Sequence, residues 1–378
     1  MLLFGDPYFL FVNKTFFRAR KHNRNNLSIY WFLNMKDASW LFINNVSRAA
    51  IFLCCLFAIG VALLAFNRIP IWQWLSVFHV EHRVPHLIGL SHSIAQTHQP
   101  DDSDVVLLIG GSTMRELTPS DAYFSERLSE ACKRPIKVIN AGTSSQTFLD
   151  AWMLSHAVDK EKLKLVVIGL NYFRFNVTKA EVRLDLGNRR FPFNDVGQLN
   201  EILDIPLNSF SSLNQLAWLI NNKRHLHLKR AKNPPPELDN FTGPRNRYAP
   251  PPMSAEEKAE VGRQFIAQRT KLIEMRISDA TLLWWRLAKS LQTRGARVSF
   301  ARLPTSKTMD RVHALLEPGY LTAVDKLITS GAEFVEIGNS LRIPEEYFYD
   351  QAHLLAPGRK LIFPDLVDQV IKRIDNCG

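Results

Sequence analysis

Five short apolar runs recur between residues 105 and 338, and segments with the apolar spacing of a helix separate most of them. Most of the runs are nearly continuously apolar, as expected of strands that are buried on both faces. Strands that alternate with helices form parallel sheets with right-handed crossover connections. The sequence therefore predicts an α/β fold. The predicted strands are Val105–Gly110, Lys137–Gly142, Leu165–Leu170, Val298–Leu303 and Glu333–Gly338.

The connection between the third and fourth predicted strands is unusually long. About 125 residues separate Leu170 from Val298, whereas a crossover connection needs far fewer. Within this excess, Ser254-Ala-Glu-Glu has the pattern of a helix capping box. We therefore expect residues 175–275 to form an inserted cap or lid over one edge of the sheet. The helices predicted elsewhere are Asp121–Cys132, Phe148–Lys160, Ala280–Thr293, Leu321–Ser330 and about Pro364–Ile374.

An uncharged apolar run at residues 49–66 is about as long as the shortest helix that spans a bilayer. Basic residues outnumber acidic ones before the run, so the positive-inside rule places the N-terminus in the cytoplasm. A start at Met35 would leave only Lys36 and Arg48 as basic residues there. The alternatives are a buried core helix and a cleaved signal peptide, although no clear cleavage site follows. The predicted organisation is a cytoplasmic segment at 1–48, a transmembrane helix at 49–66, a membrane-proximal stalk at 67–102 and a globular domain at 103–378.

The charge and the cysteines exclude some classes of protein. The net charge of +11 does not indicate a nucleic-acid partner, because seven basic residues against two acidic ones precede the apolar run, as membrane topology requires, and no recognition fold is readable. The four cysteines lack metal-site spacing, but Cys132 and Cys377 could form a disulfide in an oxidising compartment. Five histidines that follow the run have no cysteine or dense carboxylate group beside them, which favours a solvated stalk over a metal site. They are His79, His82, His86, His92 and His98. We expect neither a metal nor a cofactor.

Each of the first three predicted strands ends at a residue that suits acyl chemistry. Ser112 follows strand one, where its hydroxyl and its own N–H would lie at the carboxyl edge of the sheet beside a helix N-terminus. Gly142 ends strand two, and a glycine there lets the backbone approach a ligand closely. Asn171 follows strand three, and its amide could donate to an oxyanion. Each residue alone is also consistent with a helix cap or an ordinary turn.

A fourth group stands near residue 350, in the segment Asp350-Gln351-Ala352-His353. A carboxylate three residues before a histidine can accept from its Nδ1–H, which leaves Nε2 to take a proton from a serine. The alternative is that both are ordinary surface residues. The order of the four groups and their positions, at carboxyl ends of strands or in the last loop, turn individually weak signals into one consistent pattern.

This pattern resembles the SGNH/GDSL hydrolase family. The matching blocks are Gly111-Ser112, Gly142, Gly169-Leu170-Asn171 and Asp350-Gln351-Ala352-His353. The resemblance covers about residues 103–374 apart from the insert, and Gly111 stands where the family usually has aspartate. It implies a flavodoxin-like, three-layer α/β fold with strand order 2-1-3-4-5.

The resemblance also implies a role for each site residue. Ser112 would be the nucleophile, His353 the base and Asp350 the acid that orients the histidine. The oxyanion donors would be the Ser112 N–H, the Gly142 N–H and the Asn171 side chain.

Membrane-anchored members of the family that modify cell-envelope polymers often have such a relaxed first block. The chain resembles those of alginate O-acetylation and teichoic-acid D-alanylation, which work with a multi-pass membrane-bound O-acyltransferase. The expected function is a serine-dependent acyltransferase or esterase that acts on a cell-envelope glycan, with acetyl as the expected acyl group. Two alternatives are a tethered periplasmic esterase or lipase and a non-catalytic partner of the multi-pass transferase. In a Gram-negative cell, the chain would cross the inner membrane once and hold its globular domain in the periplasm.

Overall fold

The chain divides into two compact units, Met1–Leu63 and Leu64–Gly378. The computed structural model describes residues 52–60, 78–80, 90, 93–94, 96–143, 146–185, 228–230, 252–338 and 341–377. In the first unit, residues 52–60 form a helix with exposed apolar side chains, of which Phe57 is 75% exposed. Within the described residues, no helix combines the length and apolar character needed to cross a bilayer. The rest of the predicted 49–66 span, the predicted 1–48 segment and most of the predicted 67–102 stalk lie outside the described residues.

A five-stranded parallel sheet organises the second unit. The strands in chain order are β1 (Phe78–Val80), β2 (Asp104–Ile109), β3 (Ile136–Asn140), β4 (Leu163–Gly169), β5 (Leu228–Arg230), β6 (Arg297–Arg302) and β7 (Glu333–Glu336). Strands β1 and β5 pair with each other in antiparallel fashion, and the other five form the sheet in the order β3-β2-β4-β6-β7. Counted within the sheet, this is the predicted 2-1-3-4-5 order. The α/β prediction is confirmed, and the arrangement is consistent with a flavodoxin-like fold.

Helices cover both faces of this sheet. In chain order they are α1 (Ser112–Glu116), α2 (Asp121–Cys132), α3 (Phe148–Ala157), α4 (Lys179–Asp185), α5 (Ala255–Phe265), α6 (Lys271–Thr293), α7 (Asp310–Ile328) and α8 (Ala356–Ile371). Every residue of β2 from Val105 to Ile109 is buried. Alternate β2 side chains join two separate apolar clusters, one with α3, α6 and α7 and the other with α2 and α8. Burial on both faces explains why the strands are almost continuously apolar.

Three predicted helices begin at other residues than expected. Helix α6 begins at Lys271 and not at Ala280, because it continues from α5 through one π-helical turn, Ile266–Thr270. Helix α7 begins at Asp310, directly after a short 3₁₀ turn capped by the Ser306 side chain. Helix α8 begins at Ala356, so the proline of its first turn is Pro357 and the expected first-turn position of Pro364 is wrong. A first-turn proline loses no helical hydrogen bond.

Only parts of the predicted insert at 175–275 belong to the described residues, namely residues 175–185, which include α4, together with β5 and the segment from residue 252 onward. The capping box is confirmed, since the Ser254 side chain accepts from the Glu257 N–H and the Glu257 side chain accepts from the Ser254 N–H. The capped helix α5 continues through the π-helical turn into α6, so the end of the insert leads directly into a helix that packs on one face of the sheet.

A disulfide joins Cys132, at the end of α2, to Cys377, beyond α8. The two cysteines are 245 residues apart in sequence. The bond therefore links an early helix of the sheet domain to its last helix, on the face where α2 and α8 share one apolar cluster.

Candidate active site

Ser112 lies where β2 gives way to α1, at the carboxyl edge of the sheet. Gly110 makes this turn possible, because a Cβ at residue 110 would lie only 2.5 Å from the Cβ of Met114. The cap of α1 is Gly111, and Ser112 is the first helical residue, so the alternative of a helix-capping serine does not apply. The backbone N–H of a first helical residue has no acceptor inside its helix. Ser112 therefore presents its hydroxyl and a backbone N–H that makes no hydrogen bond within the helix at the same place.

Asp350 and His353 lie in the loop that precedes α8. The loop folds back on itself, since the Tyr349 N–H donates to the His353 carbonyl at 2.8 Å and the Leu355 N–H donates to the Tyr347 carbonyl at 2.7 Å. These two bonds give the loop the form of a tight hairpin. We call residues 345–353 the triad loop.

The fold brings the three predicted triad residues into contact. The Ser112 Oγ lies 2.7 Å from the His353 Nε2, although the two residues are 241 positions apart in sequence. On the other side of the ring, the His353 Nδ1 lies 2.8 Å from the Asp350 Oδ2. An imidazole that donates its Nδ1–H to a carboxylate carries its free lone pair on Nε2, where it can accept the serine proton. The side chains of His353 and Asp350 are 15% and 12% exposed, so the pair is largely shielded from water.

The surroundings of Asp350 favour its charged form. Burial alone would raise the pKa of this carboxyl, but hydrogen bonds from the His353 ring and from the Ala352 and His353 N–H groups outweigh burial and lower the pKa. Its Oδ1 accepts from the Ala352 N–H at 2.9 Å and from the His353 N–H at 2.8 Å. These bonds also fix the carboxylate in the plane where it meets the ring. The carboxylate is therefore ionised and oriented before any substrate binds.

Gly142 packs directly against the helix that begins with Ser112. A Cβ at residue 142 would lie 2.6 Å from the Arg115 backbone nitrogen, so glycine is needed for this close approach. In the structure the Gly142 N–H donates to the Asn140 Oδ1 at 3.0 Å. The expected role of this N–H as an oxyanion donor stays a prediction.

Asn140 is a positioning residue that the sequence analysis did not single out. Its side chain is fully buried, and its Nδ2 donates to the Met114 carbonyl at 3.1 Å, the Arg115 carbonyl at 3.2 Å and the Thr118 hydroxyl at 2.9 Å. The amide thus satisfies carbonyls at the end of α1 and holds that helix against β3. The available signal was an amide at the end of a mostly apolar strand, directly after Val138 and Ile139.

Two polar side-chain atoms just beyond the carboxyl ends of β3 and β4 have no hydrogen-bond partner among the described residues. They are the Asn171 Oδ1 and the Thr143 Oγ1, and both atoms are buried. Asn171 precedes a 3₁₀ turn but makes no side-chain capping bond within the described structure, which argues against the plain capping alternative. The Thr143 N–H donates to the Gly110 carbonyl at 3.0 Å, which places this threonine beside the turn that leads to Ser112. A buried polar group without a partner is costly unless a ligand or water completes it.

A buried ionic cluster joins the serine helix to α8. Arg115 and Glu116 form an ion pair of 2.8 Å, and their side chains are 5% and 2% exposed. Burial raises the pKa of Glu116, against the attraction of His353, Arg115 and Arg359. Burial disfavours the charged form of a cation too, and it lowers the pKa of Arg359, in α8, to about 10.

Other residues considered in the sequence have structural roles where they are described. Within the described residues, no group of three or more metal-ligating side chains occurs. Of the five histidines after the apolar run, His98 contacts the Ala157 carbonyl at 2.9 Å, and the side chains of the other four are not described. Trp284, in α6, is buried and donates to the Arg174 carbonyl at 3.0 Å, so it packs within the core.

Comparisons with known proteins add little to this geometry. No family model matches the chain, and no curated protein matches it. Among solved structures, the chain is similar to one described as a candidate platelet activating factor from Streptococcus pneumonia, with 12% identity and a TM-score of 0.30. The similarity covers 84% of this chain and 99% of that chain. A likeness this distant carries no weight for the fold or for the function.

Proposed function

We propose that this chain is a serine-dependent acyltransferase or esterase of the SGNH/GDSL hydrolase type, which acts on a cell-envelope glycan. The observation that carries the proposal is the continuous set of contacts from the Ser112 hydroxyl through the His353 ring to the Asp350 carboxylate. The same constellation recurs on unrelated folds that use an activated serine. Its place at the carboxyl ends of parallel strands, where α/β proteins bind ligands, supports the proposal further.

The first half-reaction forms an acyl-enzyme. The Ser112 Oγ attacks the carbonyl carbon of the acyl donor while the His353 Nε2 takes the hydroxyl proton, and Asp350 stabilises the resulting imidazolium. The expected donors to the tetrahedral oxyanion are the Ser112 N–H, the Gly142 N–H and the Asn171 amide. Collapse of the intermediate breaks the bond to the leaving alcohol, which receives the proton from His353. An ester on Ser112 remains.

The second half-reaction transfers the acyl group. A sugar hydroxyl or a water molecule gives its proton to the His353 Nε2 and attacks the ester carbonyl. The bond to Ser112 then breaks, and the serine oxygen takes the proton back. With a sugar acceptor the product is an acylated glycan, and with water it is a free carboxylic acid. The triad geometry suits both acceptors, so the acceptor must be identified by experiment.

Two observations support an extracytoplasmic, membrane-anchored location. The Cys132–Cys377 disulfide is typical of an oxidising compartment such as the periplasm. The helix at residues 52–60 carries exposed apolar side chains, as an anchor in lipid would. An anchored enzyme reaches polymers and partners near the membrane. We therefore propose a cell-envelope glycan as acceptor and a multi-pass O-acyltransferase as a partner that brings the acyl group across the membrane.

A serine-reactive fluorophosphonate tests the nucleophile. We expect it to label the wild-type protein and not Ser112→Ala. Ser103→Ala is the matched control, since Ser103 is a half-buried serine just before β2, and this variant should be labelled like the wild type. Label that persists in folded Ser112→Ala would refute the assignment.

A second assay separates the functions. An acetyl donor is offered together with an envelope oligosaccharide, and mass spectrometry measures acetylated sugar against free acetate. Sugar acetylation that exceeds hydrolysis supports a transferase, and acetate alone at saturating oligosaccharide supports a tethered esterase. If the folded protein is not labelled by the fluorophosphonate and releases no acetate, the result favours a non-catalytic partner of the multi-pass transferase.

A further inference from the structure

A buried lysine from the end of the insert contacts the triad loop. Lys258, in α5, is 4% exposed, and its Nζ donates to the Phe348 carbonyl at 2.8 Å and to the Glu345 carbonyl at 3.3 Å. The Glu345 carboxylate lies 3.3 Å from the same Nζ and balances its charge. A lysine is rarely buried this deeply unless its charge is paired and hydrogen-bonded. All of these contacts fall on the triad loop.

Backbone contacts hold the loop from two sides. From the insert, the Met253 N–H donates to the carbonyl of Tyr349, directly before the triad aspartate, at 2.8 Å. From the segment after β6, the Ser306 N–H donates to the Gln351 carbonyl at 2.9 Å, and the Ser306 hydroxyl donates to the Glu345 carboxylate at 2.6 Å. Glu345 therefore accepts from both sides at once. The hairpin bonds inside the loop give it its shape, whereas these outer contacts determine where it lies.

We propose that Lys258 is a positioning residue of the active site, which holds the triad loop so that His353 meets Ser112. The proposal rests on the proposed function for its effect on turnover, but not for its effect on the loop. The contact of 2.7 Å between serine and imidazole leaves little tolerance, and a misplacement of about 1 Å can cost about a hundredfold in rate. The insert is then part of the catalytic machinery and not only a cover over it.

Replacement of Lys258 by methionine tests the proposal, because methionine keeps an unbranched apolar side chain and removes the charged donor. We expect kcat for a small chromogenic ester to fall about tenfold to a hundredfold, with KM nearly unchanged. Amide hydrogen exchange in residues 345–355 should become faster. Lys258→Arg, which keeps a cation and its donors, should recover part of the lost kcat. The control is Lys271→Met, an exposed lysine at the start of α6, which should change neither readout.

The possible results separate the proposals. A folded Lys258→Met protein with wild-type kcat and wild-type exchange in the triad loop would overturn the role of Lys258. If Lys258→Met does not fold, Glu345→Gln replaces it as the test. That variant removes the charge partner of Lys258 and keeps both carbonyl contacts, but it also weakens the Ser306 contact, so Ser306→Ala is measured beside it. A fall in kcat and a faster loop exchange in Glu345→Gln that exceed those in Ser306→Ala support the proposal, and equal effects in the two variants overturn it. If the wild-type protein does not react with the phosphonate, the proposed function fails, while loop exchange still decides the role of Lys258.

Discussion

The close packing of Gly142 against the serine helix makes Gly142→Ala a sensitive test of the site. The added carbon would lie 2.6 Å from the Arg115 nitrogen and 2.9 Å from the Arg115 Cα, and no side-chain rotation can relieve a clash with backbone atoms. At Gly111 an added carbon meets nothing closer than 4.0 Å, and the backbone there is extended. Both glycines lie beside Ser112 but differ in the room they offer. Gly111→Ala is therefore a matched control.

The size of the effect follows from these distances. Ordinary van der Waals contact begins near 3.4 Å, so the end of α1 and the backbone just beyond β3 must separate by about 0.8 Å. A shift of that size away from His353 would stretch the 2.7 Å contact with Ser112 to about 3.5 Å, beyond a useful hydrogen bond. We expect turnover to fall about a hundredfold. Overpacking should also lower the free energy of unfolding by about 1–3 kcal/mol.

Steady-state hydrolysis of a chromogenic ester, the rate of phosphonate labelling and urea unfolding measure these effects together. Gly142→Ala should be slow in both reactions and modestly destabilised, whereas Gly111→Ala should resemble the wild type in all three. Wild-type turnover in Gly142→Ala, or an equal loss in both variants, would show that the glycine packing does not position the serine.

Four further perturbations address the Asn171 amide, the Thr143 hydroxyl, the triad acid and the disulfide. Asn171→Ala should lower turnover about a hundredfold or more with little change in affinity, because an oxyanion donor acts mainly in the transition state; lost affinity with intact turnover would make it a ground-state contact. Thr143→Val removes a buried hydroxyl that has no partner among the described residues, so the free energy of unfolding in urea should not fall. A slower turnover in this variant would show that the hydroxyl contacts the substrate. Asp350→Asn should lower turnover about 10³–10⁴-fold. The folded protein holds the pKa of Asp350 below its ordinary value of 3.8. The ionised carboxylate therefore stabilises the folded protein above pH 3.8, and this stabilisation is lost as the pH falls through the lowered pKa. The melting temperatures of the wild type and Asp350→Asn should accordingly converge in acid. Replacement of both Cys132 and Cys377 by serine should lower the free energy of unfolding by about 2–5 kcal/mol in urea and leave the kcat of folded protein unchanged; an unchanged unfolding midpoint would contradict it.

The five strands of the parallel sheet were predictable because a buried strand is marked by the apolar residues of its own short segment. Strands that are buried on both faces, as β2 is, must be nearly continuously apolar, and all five strands of the sheet begin within two residues of the expected starts. Helix starts were less predictable, since the start of α6 depends on a π turn and that of α7 on a preceding 3₁₀ turn. Neither turn has a distinct sequence pattern. The lengths of these helices are settled by packing on the sheet and not by local preference.

The site was predictable where its residues stand at strand ends or, as for Asp350 and His353, in a short pattern of their own. Ser112 and Asn171 follow apolar runs, so topology alone brings them to one edge of the sheet. Lys258 gave no such signal, because its partner Phe348 lies 90 positions away and no local pattern marks a lysine that will be buried. The amide of Asn140 could have been noticed, but its role depends on carbonyls that α1 exposes only in the folded protein.

The distance along the chain between the serine and its base has a consequence for folding. Strands β2, β3 and β4 are close in sequence and can pair early, whereas β6, β7 and the triad loop must close a long stretch of chain before any contact rewards them. The 241 positions between Ser112 and His353 make their contact one of the least local in the protein. A refolding chain should therefore regain its sheet signal before its esterase activity. Until the second half of the sheet joins, Ser112 has no imidazole beside it, so under the proposed mechanism an incompletely folded molecule does not react with the esters around it.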